Sequence, residues 1–84
     1  MAARTLRLII LSPEKELFSG NVTGVLFPGA TAPFTVLYNH APIISVLEQG
    51  TIRWEADTQG EVTIAGGFVE VCDNVVTACV ETKK

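Results

Sequence analysis

The sequence has few of the residues that build chemical sites. Its 84 residues include one histidine, His40, and two cysteines, Cys72 and Cys79. Two cysteines are too few for a disulfide scaffold or a structural zinc site, and one histidine does not complete a Cys/His cluster. We therefore expect reduced, mostly structural thiols and no metal site.

Positive charge and long apolar runs are also scarce. Six basic residues against nine acidic ones give a net charge of −3, which argues against a nucleic-acid-binding face and against a polybasic membrane anchor. The apolar run at residues 8–11 is far shorter than the ~20 residues of a membrane-spanning helix. The polar stretch at residues 12–16 argues against a secretory leader. We expect no direct membrane insertion.

What the sequence does contain is the pattern of a β protein. Hydrophobic residues make up 48% of it, and short segments rich in Val, Ile and Thr alternate with turn residues. No segment long enough for a stable helix carries apolar residues at a helical period. The sequence predicts one all-β domain over residues 1–84, a flattened sandwich or barrel of about ten short strands with no long helix.

One hairpin is predicted in detail. The pair Asp73-Asn74 favours a two-residue turn between two strands. In that register Cys79 faces Phe68, which places it too far from Cys72 for a disulfide.

Three other segments carry local predictions. Residues 19–21, Ser-Gly-Asn, predict a tight turn after a short strand. Residues 43–47 are apolar enough to predict a strand buried on both faces. Gly66-Gly67 predicts a bend or a bulge.

No residue pattern predicts catalysis. His40 lies in a turn segment, so its ring is expected to bond to the backbone or to contact a partner. Trp54 alternates with Ile52, which predicts a core position. We therefore expect no catalytic, cofactor-binding or metal-binding residues.

Several segments, in order along the chain, resemble the epsilon subunit of F-type ATP synthases. Residues 8–14 and 17–20 resemble the family's apolar opening strand followed by Ser-Pro-Glu and Phe-Ser-Gly. Residues 38–44 resemble its Pro-Gly-His-Ala-Pro-Leu-Leu turn, and residues 47–53 the following Leu-x-x-Gly stretch. Residues 66–77 resemble its Gly-Gly-x-x-Glu-Val and Asn-x-Val-Thr motifs.

This resemblance covers residues 6–80 and implies a flattened ten-stranded sandwich. It also implies a non-catalytic central-stalk (rotor) subunit without a cofactor. Such a subunit docks on the gamma subunit, contacts the c-subunit ring, and couples ion translocation to ATP synthesis in a complex with the other catalytic-head subunits. The protein would then be peripheral on the cytoplasmic face of the bacterial inner membrane.

The same resemblance places two candidate sites. The gamma-subunit interface would contain Asn39, His40, Ala41 and Pro42. The loop facing the c-ring would contain Gly29, Ala30, Thr31, Ala32 and Pro33. These are transferred by position in the family's motifs.

The chain departs from the family at three points. Asn39 stands where the family has glycine, but asparagine tolerates positive φ, so the turn is expected to persist. The loop has no acidic residue after Gly29, so an ionic contact with the ring is not predicted. The family's inhibitory helical hairpin would follow Lys84, where the given sequence stops, so inhibition and ATP binding are not assigned to these 84 residues.

Two alternatives stay open. The first is a free-standing β-sandwich that binds a small ligand or a peptide. A sugar binder would expose several aromatic rings, and the sequence has one Trp and one Tyr. The second is an enzyme, for which His40 would have to be the catalytic group.

Overall fold

The computed structural model describes residues 4–57 and 59–82. Within those ranges the chain forms eight strands and no helix, so none is available to cross a membrane there. The strands are β1 (Leu6–Leu11), β2 (Glu16–Val22), β3 (Gly24–Phe27), β4 (Phe34–Leu37), β5 (Ile43–Leu47), β6 (Gly50–Glu55), β7 (Gly60–Cys72) and β8 (Val75–Thr82). The all-β prediction is confirmed, with eight strands in place of about ten. The predicted domain limits at residues 1 and 84 lie outside the described residues.

One sheet folds back on itself to make both layers of a sandwich. Its strand order is β2-β1-β8-β7-β6-β3-β4, and β5 also pairs with β7. The first half of the long β7 pairs with β6, and its second half pairs with β5. One layer is therefore β2-β1-β8-β7-β5 and the other is β7-β6-β3-β4. Neighbouring strands are antiparallel except for β1 and β8.

A bulge in β7 decides which side chains face the core. The register against β8 shifts between Ile64 and Gly66. Ile64 is buried before the shift, and Val69 is buried after it. Because side chains alternate along a strand, the extra residue turns Phe68 outward. The predicted bend or bulge is confirmed: the register shift ends at Gly66, and β7 continues through both glycines as one strand.

A single buried cluster receives side chains from all eight strands. It contains Leu6, Leu8, Ile10, Val22, Val25, Phe27, Val36, Leu47, Ile52, Trp54, Ile64, Val69, Val71, Val76, Ala78 and Val80. Trp54 belongs to this cluster, as predicted. Its ring centroid lies 4.4 Å from that of Phe18.

The β7–β8 hairpin forms in the predicted register. Cys79 lies opposite Phe68, and both cysteines are free. Asp73 and Asn74 have φ values of 52° and 64°, the positive values that a type I′ turn requires at both central residues. A local turn signal was therefore enough to predict this hairpin.

The predicted turn at residues 19–21 is wrong. These residues continue β2, where Ser19 lies opposite Ile9 of β1. Pairing with β1 therefore outweighs the turn propensity of Ser-Gly-Asn. The chain leaves the layer at Thr23, whose backbone N–H donates to the Glu55 carbonyl at 2.7 Å.

The predicted burial of both faces of β5 is also wrong. Leu47 is buried and Ile43 is half-buried, but Ile44 and Val46 are 75% and 64% exposed. One face of this strand therefore packs on the core, and the other is open.

Candidate interaction surface

Four large apolar side chains stand exposed on the outer side of the β5-β7-β8 strands. Ile44, Val46, Phe68 and Val75 are 75%, 64%, 50% and 41% exposed. Val46 lies directly opposite Phe68 on the neighbouring strand, so these two side chains adjoin. We name these four residues the apolar face. Exposed apolar patches of this kind mark sites of interaction.

The apolar face continues across the same layer. Ile9 and Leu11 of β1 are half-buried, and Leu11 lies opposite Cys79 of β8. A groove of about 490 Å³ adjoins it and is lined in part by Leu11, Phe68 and Cys79. Glu70 places one exposed carboxylate within this side of the layer.

The outer side of the other layer is more polar. Its exposed positions include Arg53, Glu55 and Glu61, interleaved with Leu26 and Leu37. Arg53 Nε lies 3.4 Å from Glu61 Oε1 in an exposed ion pair, a kind that contributes little to stability. The two outer sides of the sandwich therefore differ in chemistry.

The turn at residues 38–42 lies at one end of the apolar face, where it connects β4 of one layer to β5 of the other. Asn39 has a φ of 64°, which confirms that asparagine supports this turn. The His40 backbone N–H donates to the Leu37 carbonyl at 3.0 Å, and His40 Nδ1 lies 2.8 Å from the Ala41 carbonyl oxygen. The predicted backbone bond of the histidine ring is confirmed.

The loop at residues 29–33 lies at the opposite end of β5. Gly29 bridges to Leu47, and the Ala30 backbone N–H donates to the Val46 carbonyl at 3.1 Å. Five residues of strand separate this loop from the turn at residues 38–42, which corresponds to about 13 Å. The structure therefore does not bring the two predicted segments together, and the apolar face lies between them.

Two observations bear on the titratable side chains of the described residues. Across residues 4–57 and 59–82, no three His, Cys, Asp or Glu side chains are grouped as metal ligands would be. The negative charge of Asp73 raises the pKa of the Cys72 thiol, and Glu70 adds to this effect. Cys72 is therefore a protonated thiol at neutral pH, not a nucleophilic thiolate.

The sequence motifs predict roles for both end segments, and those roles stay predictions. The residues of the apolar face are not predicted by the sequence pattern. The run at residues 43–47 is apolar almost throughout, so its pattern does not distinguish the open face of β5 from the packed one. The outward position of Phe68 depends on the β7 bulge. In the sequence, the glycine pair next to the bulge is the one feature that could have indicated the outward position of Phe68.

These features define a small all-β sandwich domain with one exposed apolar face. The chain belongs to the ATP synthase delta/epsilon chain family, whose β-sandwich domain model matches residues 5–83. The resemblance stated from the sequence motifs is thereby confirmed.

Curated relatives carry the name ATP synthase epsilon chain. The relative from Desulfitobacterium hafniense is 40% identical over 81 residues, which cover 95% of this chain and 61% of the relative. The relative from Chlorobaculum tepidum is 42% identical over 69 residues, which cover 80% of this chain and 78% of the relative. The chain thus spans about three fifths of the first relative and most of the second.

Two solved structures share the fold. A chain of the Euglena gracilis mitochondrial ATP synthase, in a structure of OSCP, F1 and the c-ring, superposes with a TM-score of 0.86 at 20% identity. The match covers 93% of this chain and 51% of that one. A chain of the Tetrahymena thermophila mitochondrial ATP synthase, in a structure of the central stalk and c-ring, superposes with a TM-score of 0.77 at 19% identity. That match covers 90% of this chain and 63% of the Tetrahymena chain.

Proposed function

We propose that this chain is a non-catalytic central-stalk subunit of an F-type ATP synthase. It docks on the gamma subunit, contacts the c-subunit ring, and helps to couple ion translocation to ATP synthesis. As part of that complex it is peripheral on the cytoplasmic face of the bacterial membrane. Family membership and the names of the relatives support this assignment.

The apolar face is the observation that carries the proposal. A small domain exposes few apolar patches without a partner. Here four large side chains are exposed on one layer, and three of them, Ile44, Val46 and Phe68, lie on the paired strands β5 and β7. The gamma subunit covers this face and the adjoining Asn39, His40, Ala41 and Pro42. An ordinary interface of about 800 Å² per partner is large enough to include both.

The loop at the other end of β5 faces the c-ring. Gly29, Ala30, Thr31, Ala32 and Pro33 carry no charge, so contact there uses backbone groups and small side chains. The bond from Ala30 to β5 fixes this loop relative to the apolar face. A rigid sandwich then transmits torque between the two contacts without any titrating group.

Placing a carboxylate on the apolar face should abolish most docking. We expect Ile44→Asp to weaken binding of the purified gamma subunit by at least about tenfold, because burying an Ile side chain is worth about 1.5–3 kcal/mol. Ile44 is 75% exposed, so the core is not disturbed. Isothermal titration calorimetry measures the dissociation constant directly.

Leu26→Asp is the matched control for this experiment. It places the same residue in a central position of a strand, but on the opposite outer side of the sandwich. We expect gamma binding close to that of the wild type. Equal binding by Ile44→Asp and the wild type would contradict docking through the apolar face.

His40→Ala tests the turn separately. We expect weaker docking and an unchanged fold, because His40 is half-buried in a turn and lies outside the buried cluster. Circular dichroism and the same titration separate the two effects. Loss of folding without a separate effect on binding would argue against a contact role.

A further inference from the structure

Two asparagines 35 positions apart are joined by a reciprocal pair of hydrogen bonds. The Asn39 backbone N–H donates to Asn74 Oδ1 at 2.6 Å, and Asn74 Nδ2 donates to Asn39 Oδ1 at 3.0 Å. The backbone N–H is a donor only, so it must meet the oxygen of the Asn74 amide. This leaves the amide nitrogen for Asn39.

Asn74 also connects a third segment. Its carbonyl accepts the Arg7 backbone N–H at 2.9 Å. The start of β1, the β7–β8 hairpin and the turn at residues 38–42 therefore meet at one residue. Asn39 and Asn74 both have a φ of 64°, a conformation that asparagine and glycine tolerate best.

Among the described residues, the other hydrogen bonds of the turn at residues 38–42 are local ones, between His40 and the Leu37 and Ala41 carbonyls. Its side chains are exposed, apart from the half-buried His40. Its two ends belong to different layers, β4 and β5. The pair of bonds to Asn74 ties it to the layer that carries the apolar face. A segment ordered before docking does not lose its conformational freedom on docking.

We propose that Asn74 is a positioning residue that holds the turn at residues 38–42 in the geometry in which it docks on the gamma subunit. This inference rests on the proposed function. Asn74 acts through Asn39 and need not itself touch the partner.

Asn74→Gly in the full chain tests this inference. The resulting Asp-Gly pair is also favourable in a type I′ turn, so the hairpin is kept while both side-chain bonds are lost. We expect binding of the purified gamma subunit to weaken about tenfold, since each hydrogen bond contributes about 1 kcal/mol. We also expect faster hydrogen exchange of the residue 39 backbone amide, measured by NMR.

Asn39→Gly is the graded control. Glycine keeps the positive φ and the backbone N–H that donates to Asn74 Oδ1, so only the 3.0 Å bond is lost. We expect gamma binding to weaken about threefold. If Asn74→Gly fails to fold, the gamma affinity of Asn39→Gly tests the inference instead. A threefold loss of affinity supports the inference, and wild-type affinity overturns it.

The remaining outcomes separate the two proposals. Wild-type gamma affinity in folded Asn74→Gly overturns the inference alone. The inference is also overturned if Asn74→Gly binds gamma more weakly but leaves hydrogen exchange of the residue 39 backbone amide unchanged. In that case the order of the turn would not depend on Asn74. A wild-type chain that does not bind gamma overturns the proposed function and this inference with it.

Discussion

Replacing Gly67 with alanine is expected to lower the free energy of unfolding by about 3–5 kcal/mol. Gly67 has a φ of 151°, which L side chains rarely adopt and which costs about 1–3 kcal/mol. An added Cβ would also clash with the Cys79 carbonyl oxygen and lie 2.8 Å from Val80 Cα. These are backbone atoms of the paired strand, so they cannot move aside without breaking the ladder, and the overpacking adds about 1–3 kcal/mol.

The neighbouring glycine supplies the control. A Cβ on Gly66 would lie 3.6 Å from its nearest neighbour, the Leu47 carbonyl oxygen, which is an ordinary contact. We expect Gly66→Ala to change the free energy of unfolding by less than about 1 kcal/mol. Urea denaturation of both variants gives the comparison. Equal stabilities would contradict the requirement for glycine at the positive φ and close strand contact of Gly67.

Trp54→Ala is expected to lower the free energy of unfolding by a similar amount, for a different physical reason. Trp54 is 9% exposed and packs on Phe18 at a centroid distance of 4.4 Å. Gly60 lies so close to the indole ring of Trp54 that a Cβ on residue 60 would clash with it. Removing the ring leaves a cavity in a small core, which costs about 3–5 kcal/mol.

Trp54→Phe is the graded variant, because it keeps an aromatic ring in the core but a smaller one. A phenylalanine keeps part of the contact with Phe18, so we expect a smaller loss of stability than for alanine. Both are measured by urea denaturation of the same preparation. A change within about 0.5 kcal/mol for Trp54→Ala would place this side chain on the surface instead.

The features predicted correctly depend on local chemistry. Asp73 and Asn74 adopt positive φ readily, so the hairpin and its register follow from two residues. Trp54 was placed in the core by its alternation with Ile52. Asn39 supports its turn for the same conformational reason as Asn74.

The features that were missed depend on distant pairing. Residues 19–21 carry a turn signal, but each of them lies opposite a residue of β1 in a continuous antiparallel register. The open face of β5 follows from its position beside β7, which its own apolar run does not encode. The bond between Asn39 and Asn74 joins residues 35 positions apart and has no local signature.

The candidate site was therefore predicted in part. The motifs identified a turn and a loop, and the structure places them at opposite ends of one strand. The apolar face between them became visible only once the bulge had set the orientation of Phe68.

Whether this chain is a stalk subunit can be tested by affinity purification of the tagged chain from its own cells' gently solubilised membranes, with mass spectrometry of the co-eluting proteins. We expect recovery of the gamma subunit together with the alpha and beta subunits of the synthase. Recovery of none of them, from membranes in which the synthase is otherwise intact, would contradict the stalk assignment and would favour a free-standing binding domain.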